Sequence, residues 1–231
     1  MTTFPLHIDI VSDVVCPWCI IGYKQLQQAL AQYPNPLKVF MEWHPFELNP
    51  AMPEGGQEMQ AHLAEKYGST PAQSEAVRTR IKNLGDTLGF TFNDSKDSRI
   101  YNTFRAHQLL HWAKAFDKQT PLKLQLFTDY FTHQKAIDTT DTLVEAAGAV
   151  GLDPQTARDV LNNDRYATCV HECESDWQSQ GIYSVPTYLL NKKFLISGAQ
   201  SSDVFTAYID KLREKNITLG PSRRILNKRK R

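Results

Sequence analysis

Cys16-Pro17-Trp18-Cys19 is the stretch of this chain whose residue types and spacing most directly support chemistry. An apolar, strand-like run (Leu6 to Val11) precedes it and a helical pattern (Ile20 to Ala31) follows it. Two cysteines with two residues between them, at a strand-to-helix junction, read as a redox motif. Cys16 would sit at the helix N-terminus, where unpaired N–H groups and the helix dipole favour an anion. Its thiol is therefore expected to titrate below the free value of about 8.5, since such sites reach roughly 3.5–7.5. Trp18 brings no positive charge, so the expected drop is smaller than a histidine there would give. The thiolate is the attacking species in disulfide exchange. Cys19, one turn on, can close a disulfide with Cys16 and so resolve a mixed disulfide. Pro17 costs nothing in the first turn, where its missing N–H has no partner anyway. A CxxC can also be half of a zinc site, which needs two further ligands. No second CxxC appears, and Cys169 and Cys173 lie about 150 residues away.

The elements that must position this motif read as follows. A second strand covers Leu37 to Phe46 between prolines, which makes a β-α-β unit with parallel strands and a right-handed crossover. A Pro- and Gly-containing loop follows. Helical patterns then run from Gln57 to Tyr67, from Pro71 to about Leu88 behind the capping box Thr70–Gln73, and from Asn102 as cap through Phe116. Further helices are expected from Pro121 to about His133, from Asp141 to Val150, behind Asp153-Pro154, and from about Asp164 to Gln180. Strands return at Val185–Leu190 and Lys193–Ser197, joined as a hairpin at Asn191-Lys192. An amphipathic helix from about Ser202 to Lys215 closes the pattern.

Cys169 and Cys173 are four apart on one of these helices and share a face. Helical rise and radius put their Cα atoms about 6 Å apart, within the disulfide range of roughly 4.4–6.8 Å. They are candidates for a second redox pair, or else two half-buried thiols on a packed face. His171 points away from both, which weakens a metal reading. His107 and His111 share a face by the same spacing, and a core or cleft-lining role suits them better than metal binding. No metal site is expected.

The chain has 231 residues, 41% of them hydrophobic, enough for one large domain or a domain with a big insertion. The net charge of +1 is unevenly spread. Ser222 to Arg231 holds six basic residues and no acid, leaving 20 basic against 25 acidic elsewhere, a net of −5. An acidic body argues against a nucleic-acid partner. The basic tail reads as a solvated terminus. Neither a signal peptide nor an apolar run of about 20 residues is visible, so a soluble, cytoplasmic protein without a membrane partner is expected. In that compartment a CxxC is catalytic or metal-binding rather than structural.

The order strand, CxxC, helix, strand, helical block, Val-Pro, hairpin, helix resembles the DsbA family. It is most similar to the FrnE-like branch, related to 2-hydroxychromene-2-carboxylate isomerases and kappa-class glutathione transferases. The residues that carry the likeness are Ser12 to Cys19, Trp43 to Pro50, Asn102-Thr103, Ala106-His107, His111 to Ala113, Val185 to Thr187 and Ser197 to Gln200. The resemblance implies an α/β thioredoxin fold with a large all-helical insertion. The core would be 1–52 and 181–220, the insertion 53–180, and the basic tail 221–231. It implies that Cys16 is the nucleophile, Cys19 the resolving thiol and Pro186 a cis-proline beside them. Val185 would then turn its backbone towards substrate, Trp18 would form the cleft rim, and His107 would line the cleft above Cys16. Some FrnE-like proteins carry a second CxxxC, as at Cys169 and Cys173.

The implied activity is protein-disulfide oxidoreduction through the CPWC site, with disulfide isomerase activity within its reach. Substrates would be protein or peptide disulfides and dithiols. No bound cofactor is implied, only a thiol reductant such as glutathione or thioredoxin. Two other readings stay open: a glutathione-dependent small-molecule isomerase or transferase, and a non-catalytic chaperone. The isomerase and transferase relatives generally carry serine at the first cysteine, whereas this chain keeps both cysteines, which favours exchange.

Overall fold

A computed structural model describes residues 4–34, 37–93, 95 and 97–217. The expected basic tail lies outside the described residues. In strand β1 (Pro5–Ser12), Leu6, Ile8 and Ile10 are at most 1% exposed and alternate with partly open His7 and Asp9. That period of two is what a strand covered unequally on its two faces requires. Helix α1 (Pro17–Ala31) leads to strand β2 (Lys38–Pro45), which pairs parallel to β1 with Asp9 opposite Glu42 and Val11 opposite His44. The expected β-α-β unit is therefore present.

Strands β5 (Thr187–Leu190) and β6 (Phe194–Ser197) form the expected hairpin. Strand β5 runs antiparallel to β1, giving the sheet order β2-β1-β5-β6. Helix α9 (Ser202–Glu214) packs beside α1. Gly22 makes the seat of α1 on the sheet so close that a Cβ there would stand 2.3 Å from Tyr188 Oη and 3.2 Å from Ala199 Cα.

Between β2 and β5 lie helices α2 (Met59–Tyr67), α3 (Pro71–Thr87), α4 (Phe104–Ala113), α5 (Gln119–Phe127), α6 (Thr140–Ala149), α7 (Pro154–Asn162) and α8 (Ala167–Ser179). The Thr70–Gln73 capping box forms. The block is not purely helical, which corrects the expectation. Gln57–Glu58 (β3) and Arg99–Ile100 (β4) form a two-stranded ribbon, and Arg99 donates to the Gly55 and Gly56 carbonyls beside it. Helix α2 consequently starts at Met59, because the Glu58 carboxylate accepts from the Gln60 and Ala61 N–H groups. Helix α5 opens at Gln119 rather than Pro121. The Gln119 side chain accepts from the Trp43 N–H at 2.9 Å and donates to the Trp43 carbonyl at 2.8 Å, which seals the edge of β2. Residues Thr128–Thr132 continue α5 as a wide π turn. Helix α8 starts three residues later than expected, because Gln108 holds Asp164 and the Tyr166 N–H in the turn before it.

Packing runs across the boundaries at 53 and 180. One apolar cluster holds Leu6, Ile8 and Ile10 of the sheet together with Leu109 of α4, Leu122 of α5 and Leu143 of α6. No helix among the described residues is long and apolar enough to cross a membrane.

Candidate active site

Cys16 is the N-cap of α1 (φ −92°, ψ 110°), with Pro17 in the first turn. The Cys19 N–H donates to the Cys16 carbonyl at 3.0 Å. Both sulfurs belong to free cysteines; Cys16 is 4% exposed and Cys19 fully enclosed. Because β5 pairs with β1 from Thr187 opposite Val11, the residues before it arrive at the start of α1. The Val185–Pro186 peptide bond is cis, and Cys16 Sγ lies 3.9 Å from the Val185 carbonyl, within reach of a sulfur hydrogen bond. The Pro186 carbonyl accepts from Gly198 N–H at 2.8 Å, which ties this turn to β6. Trp18 is half-buried beside the pair, with the exposed Arg80 guanidinium 5.4 Å from its ring centre. A positive charge does therefore stand at position 18, supplied from α3.

Beneath the cysteines lies a charged floor sealed from solvent. Asp13 is fully buried; its Oδ2 accepts from Leu48 N–H at 2.7 Å, and its Oδ1 stands 3.4 Å from His107 Nε2. Burial alone would push its carboxyl up, but the hydrogen bond from His107, the Leu48 N–H and the Lys123 charge hold it below the usual range. His107 is 3% exposed and reaches the Phe46 carbonyl at 3.1 Å. Burial pushes its imidazole down. A neutral ring with the proton on Nε2 fits both contacts. His107 is thus part of the floor and not of a substrate-facing cleft, because the Phe46 carbonyl and Asp13 turn it inward.

Lys123 is 1% exposed. Its Nζ donates to the Ser12 carbonyl at 3.3 Å and lies 5.5 Å and 5.2 Å from the ring centres of Trp43 and Phe127. Burial pulls its ammonium down to about 8, against the pull of charge on Cys19, Asp13 and Cys16. A lysine so placed exchanges its proton near neutral pH.

The two thiols ionise as a pair. The Cys16 thiol is pushed well above its ordinary value by its hydrogen bond to Cys19, by burial and by charge on Cys19. At Cys19 burial is outweighed by the hydrogen bond from Cys16, the Lys123 ammonium and the Ser12 hydroxyl, and that thiol is lowered. The helix N-terminus beside Cys16 and the buried ammonium beside Cys19 both favour a negative charge on the pair.

Neither Asp13 nor Lys123 was singled out by sequence. Lys123 did leave a signal. The buried face of α5 is Gln119, Leu122, Lys123, Leu126 and Phe127, so a charged residue interrupts an apolar stripe of helical period.

Cys169 and Cys173 are free and partly exposed on α8. Cys173 packs against Val11, Trp177 and Ile182, and burial pushes its thiol up to about 11. His171 stacks on Phe104 with ring centres 4.5 Å apart. His111 lies against Tyr166 and, with His107, borders a cavity of about 60 Å³.

Comparisons with known proteins agree with this geometry. The chain is 26% identical over 211 residues to the uncharacterised protein YwbO of Bacillus subtilis (strain 168), covering 91% of this chain and 98% of that one. It is 28% identical to a structure described as a probable DsbA oxidoreductase from Streptomyces coelicolor, at a TM-score of 0.87 with 94% of each chain covered. In fold alone, at 13% identity, it is similar to the cytosolic disulfide reductase DsbM from Pseudomonas aeruginosa, solved with GSH (TM-score 0.62, 90% of this chain and 99% of that one). Residues 7–210 match the DSBA-like thioredoxin domain, so a CxxC at a helix start, facing a cis Val-Pro turn on a mixed four-stranded sheet, places this chain in that family of DsbA-like oxidoreductases.

Proposed function

We propose that the chain is a protein-disulfide oxidoreductase in which Cys16 and Cys19 cycle between dithiol and disulfide. One observation carries the reading: Cys16 Sγ, at a helix N-terminus and 3.9 Å from the Val185 carbonyl, covers a fully enclosed Cys19 whose charge a buried ammonium stabilises.

A substrate disulfide meets Cys16 first, because Cys19 has no exposed surface. The Cys16 proton passes to the Cys19 sulfur as Cys16 attacks. A Cys16–substrate S–S bond forms, the substrate's own S–S bond breaks, and the departing thiolate takes a proton from solvent. Cys19 then gives up its proton to solvent, and the Lys123 ammonium stabilises the thiolate that remains. The Cys19 thiolate attacks Cys16, forming the Cys16–Cys19 bond and releasing the second substrate thiol, which recovers the proton. Two electrons pass to the substrate, and an external thiol such as glutathione or a thioredoxin-like dithiol restores them. Val185 offers its backbone to the substrate chain, Pro186 shapes that turn, and Trp18 bounds the approach. The site works in a cytoplasmic, reducing setting, where the pair is kept ready as a dithiol.

Insulin reduction under a thiol reductant tests this. Cys16→Ser should fall to the uncatalysed rate. Cys19→Ser should accumulate a mixed disulfide through Cys16, detectable as an adduct of substrate mass. Near-wild-type turnover by Cys16→Ser, or glutathione conjugation of a chromogenic electrophile faster than insulin reduction, would sink the reading.

A further inference from the structure

On the other face of β1 and β2 the sheet assembles a group that the disulfide chemistry does not use. Asp9 and Glu42 are direct partners in the parallel register, and His44 follows Glu42 by two residues, so all three side chains stand on one face. Their ligand atoms lie within 4.8 Å of one another. Like charges placed opposite each other across two strands are unfavourable unless something neutralises them. Helix α8 adds a thiol: Cys173 Sγ is 3.6 Å from His44 Nδ1. On the far side of the ring, His44 Nε2 meets Asp9 Oδ1 at 2.8 Å. Donation of Nε2–H to Asp9 fixes the tautomer and leaves the Nδ1 lone pair directed at Cys173 and Glu42. That is the carboxylate–histidine arrangement which orients an imidazole for a metal. The cavity bordered by His107 and His111 also borders Glu42, His44 and Cys173.

We propose that His44 Nδ1, Cys173 Sγ and a Glu42 carboxylate oxygen bind a divalent transition metal of the zinc class, with Asp9 as the positioning residue behind His44. The His44–Cys173 distance suits it. Tetrahedral geometry with metal–nitrogen and metal–sulfur bonds of about 2.0 and 2.3 Å puts nitrogen and sulfur about 3.5 Å apart. Glu42 Oε1, at 4.0 Å from Nδ1, has to close by roughly 0.7 Å to reach the matching N···O edge of about 3.3 Å, and has further to swing towards Cys173, which stands outside the 4.8 Å group of Asp9, Glu42 and His44. Its present partner, the Lys114 ammonium, is half exposed and free to swing into solvent. The mixed nitrogen, sulfur and oxygen set selects zinc-class ions over magnesium or calcium. Three protein donors leave the fourth position open to water or ligand.

On binding, the metal–sulfur bond forms as the Cys173 S–H bond breaks, and the proton goes to solvent. No electron moves. The same sulfur cannot then pair with Cys169, so metal and a Cys169–Cys173 disulfide exclude each other. Such a site would depart from the expectation of no metal site, and its residues come from β1, β2 and α8, far apart in sequence.

The test uses the reduced full chain with Cys16→Ser/Cys19→Ser, so that the CxxC cannot bind, and Co²⁺ alone as the probe. One Co²⁺ per chain with a thiolate-to-cobalt charge-transfer band is expected. Adding Cys173→Ser should remove the band while the thermal melt of the metal-free protein holds. Adding Asp9→Asn should keep the band but weaken binding by about 10–100-fold. Absence of the band in the parent variant, or its survival in Cys173→Ser, overturns the proposal. An Asp9→Asn affinity equal to the parent's overturns the positioning role.

Discussion

The two cysteine pairs differ in what lies under them, and that difference sets their chemistry. Cys16 and Cys19 stand on a buried ammonium, a carboxylate and a neutral imidazole, and one of the two thiols is lowered as a result. Cys173 stands among Val11, Trp177 and Ile182 beside an imidazole turned by Asp9, and its thiol is raised to about 11. Burial opposes the thiolate in both places. It is overcome only where a fixed positive charge is buried with the sulfur. The first pair is therefore equipped for exchange at neutral pH. The second needs a cation from outside to become a thiolate.

Removing the buried charge should break the contrast. Lys123→Met keeps the length of the side chain and takes away the ammonium, along with its contact to the Ser12 carbonyl. The lowered thiol should rise, so insulin reduction at neutral pH should slow by on the order of tenfold, and the gap should narrow as pH rises. Stability should respond with its own sign. A lysine lowered to about 8 in the folded chain and near its ordinary 10.5 when unfolded binds fewer protons folded across that window. Wild-type stability should gain with pH between those values, and Lys123→Met should lack the gain. Thiolate absorbance against pH and urea melts at several pH values read both effects. An unchanged thiol titration in Lys123→Met would remove Lys123 from the account.

A second way to sharpen the contrast acts on geometry, since the first pair depends on where α1 lies. Gly22→Ala drives a Cβ to within 2.3 Å of Tyr188 Oη. A shift of α1 or of Tyr188 should cost about 1–3 kcal/mol of stability. The Tyr188 hydroxyl is buried and has no hydrogen-bond partner among the described residues. Tyr188→Phe should therefore be close to neutral alone and should recover most of the Gly22→Ala loss. Equal melts for Gly22→Ala with and without Tyr188→Phe would show that Ala199, at 3.2 Å, sets the limit instead.

Those local features were legible to very different degrees. The strand-to-helix junction, the parallel β1–β2 pair and the Thr70–Gln73 cap follow from periodicity and capping chemistry, which act over a few residues. The Cys16–Cys19 spacing is likewise local, and so the motif was visible. The floor beneath it was not, because Asp13, His107 and Lys123 meet through tertiary packing of three separate elements. A helix N-terminus is readable from sequence, whereas the ammonium beside Cys19 is 104 positions further on. The Asp9–Glu42–His44–Cys173 group depends on strand register plus the seat of α8, neither of which spacing encodes. The ribbon β3–β4 is two residues per strand, too short to leave a periodic pattern.

The smallest effect lies between the two pairs. Glu47, just past β2, and Glu174, next to Cys173, are half-buried, and each has a carboxylate oxygen without a hydrogen-bond partner among the described residues. Burial, then the charges of Glu174 and Asp13, pushes Glu47 up to about 8; burial, then Asp13, pushes Glu174 up to about 7. Folded values above the unfolded value of 4.5 mean that the folded chain holds these protons longer. Their contribution to stability is complete below pH 4.5 and is lost as pH rises to about 7 and 8. Glu174→Gln removes one charge and relieves Glu47. The variant should match wild type near pH 4.5 and exceed it at pH 8 by on the order of 1 kcal/mol, after allowance for solvent screening at a half-buried site. Urea melts at the two pH values decide it. A stability difference that does not vary with pH would mean that the two carboxyls are better solvated than their packing implies, and that the two sulfur regions are electrostatically independent at this point.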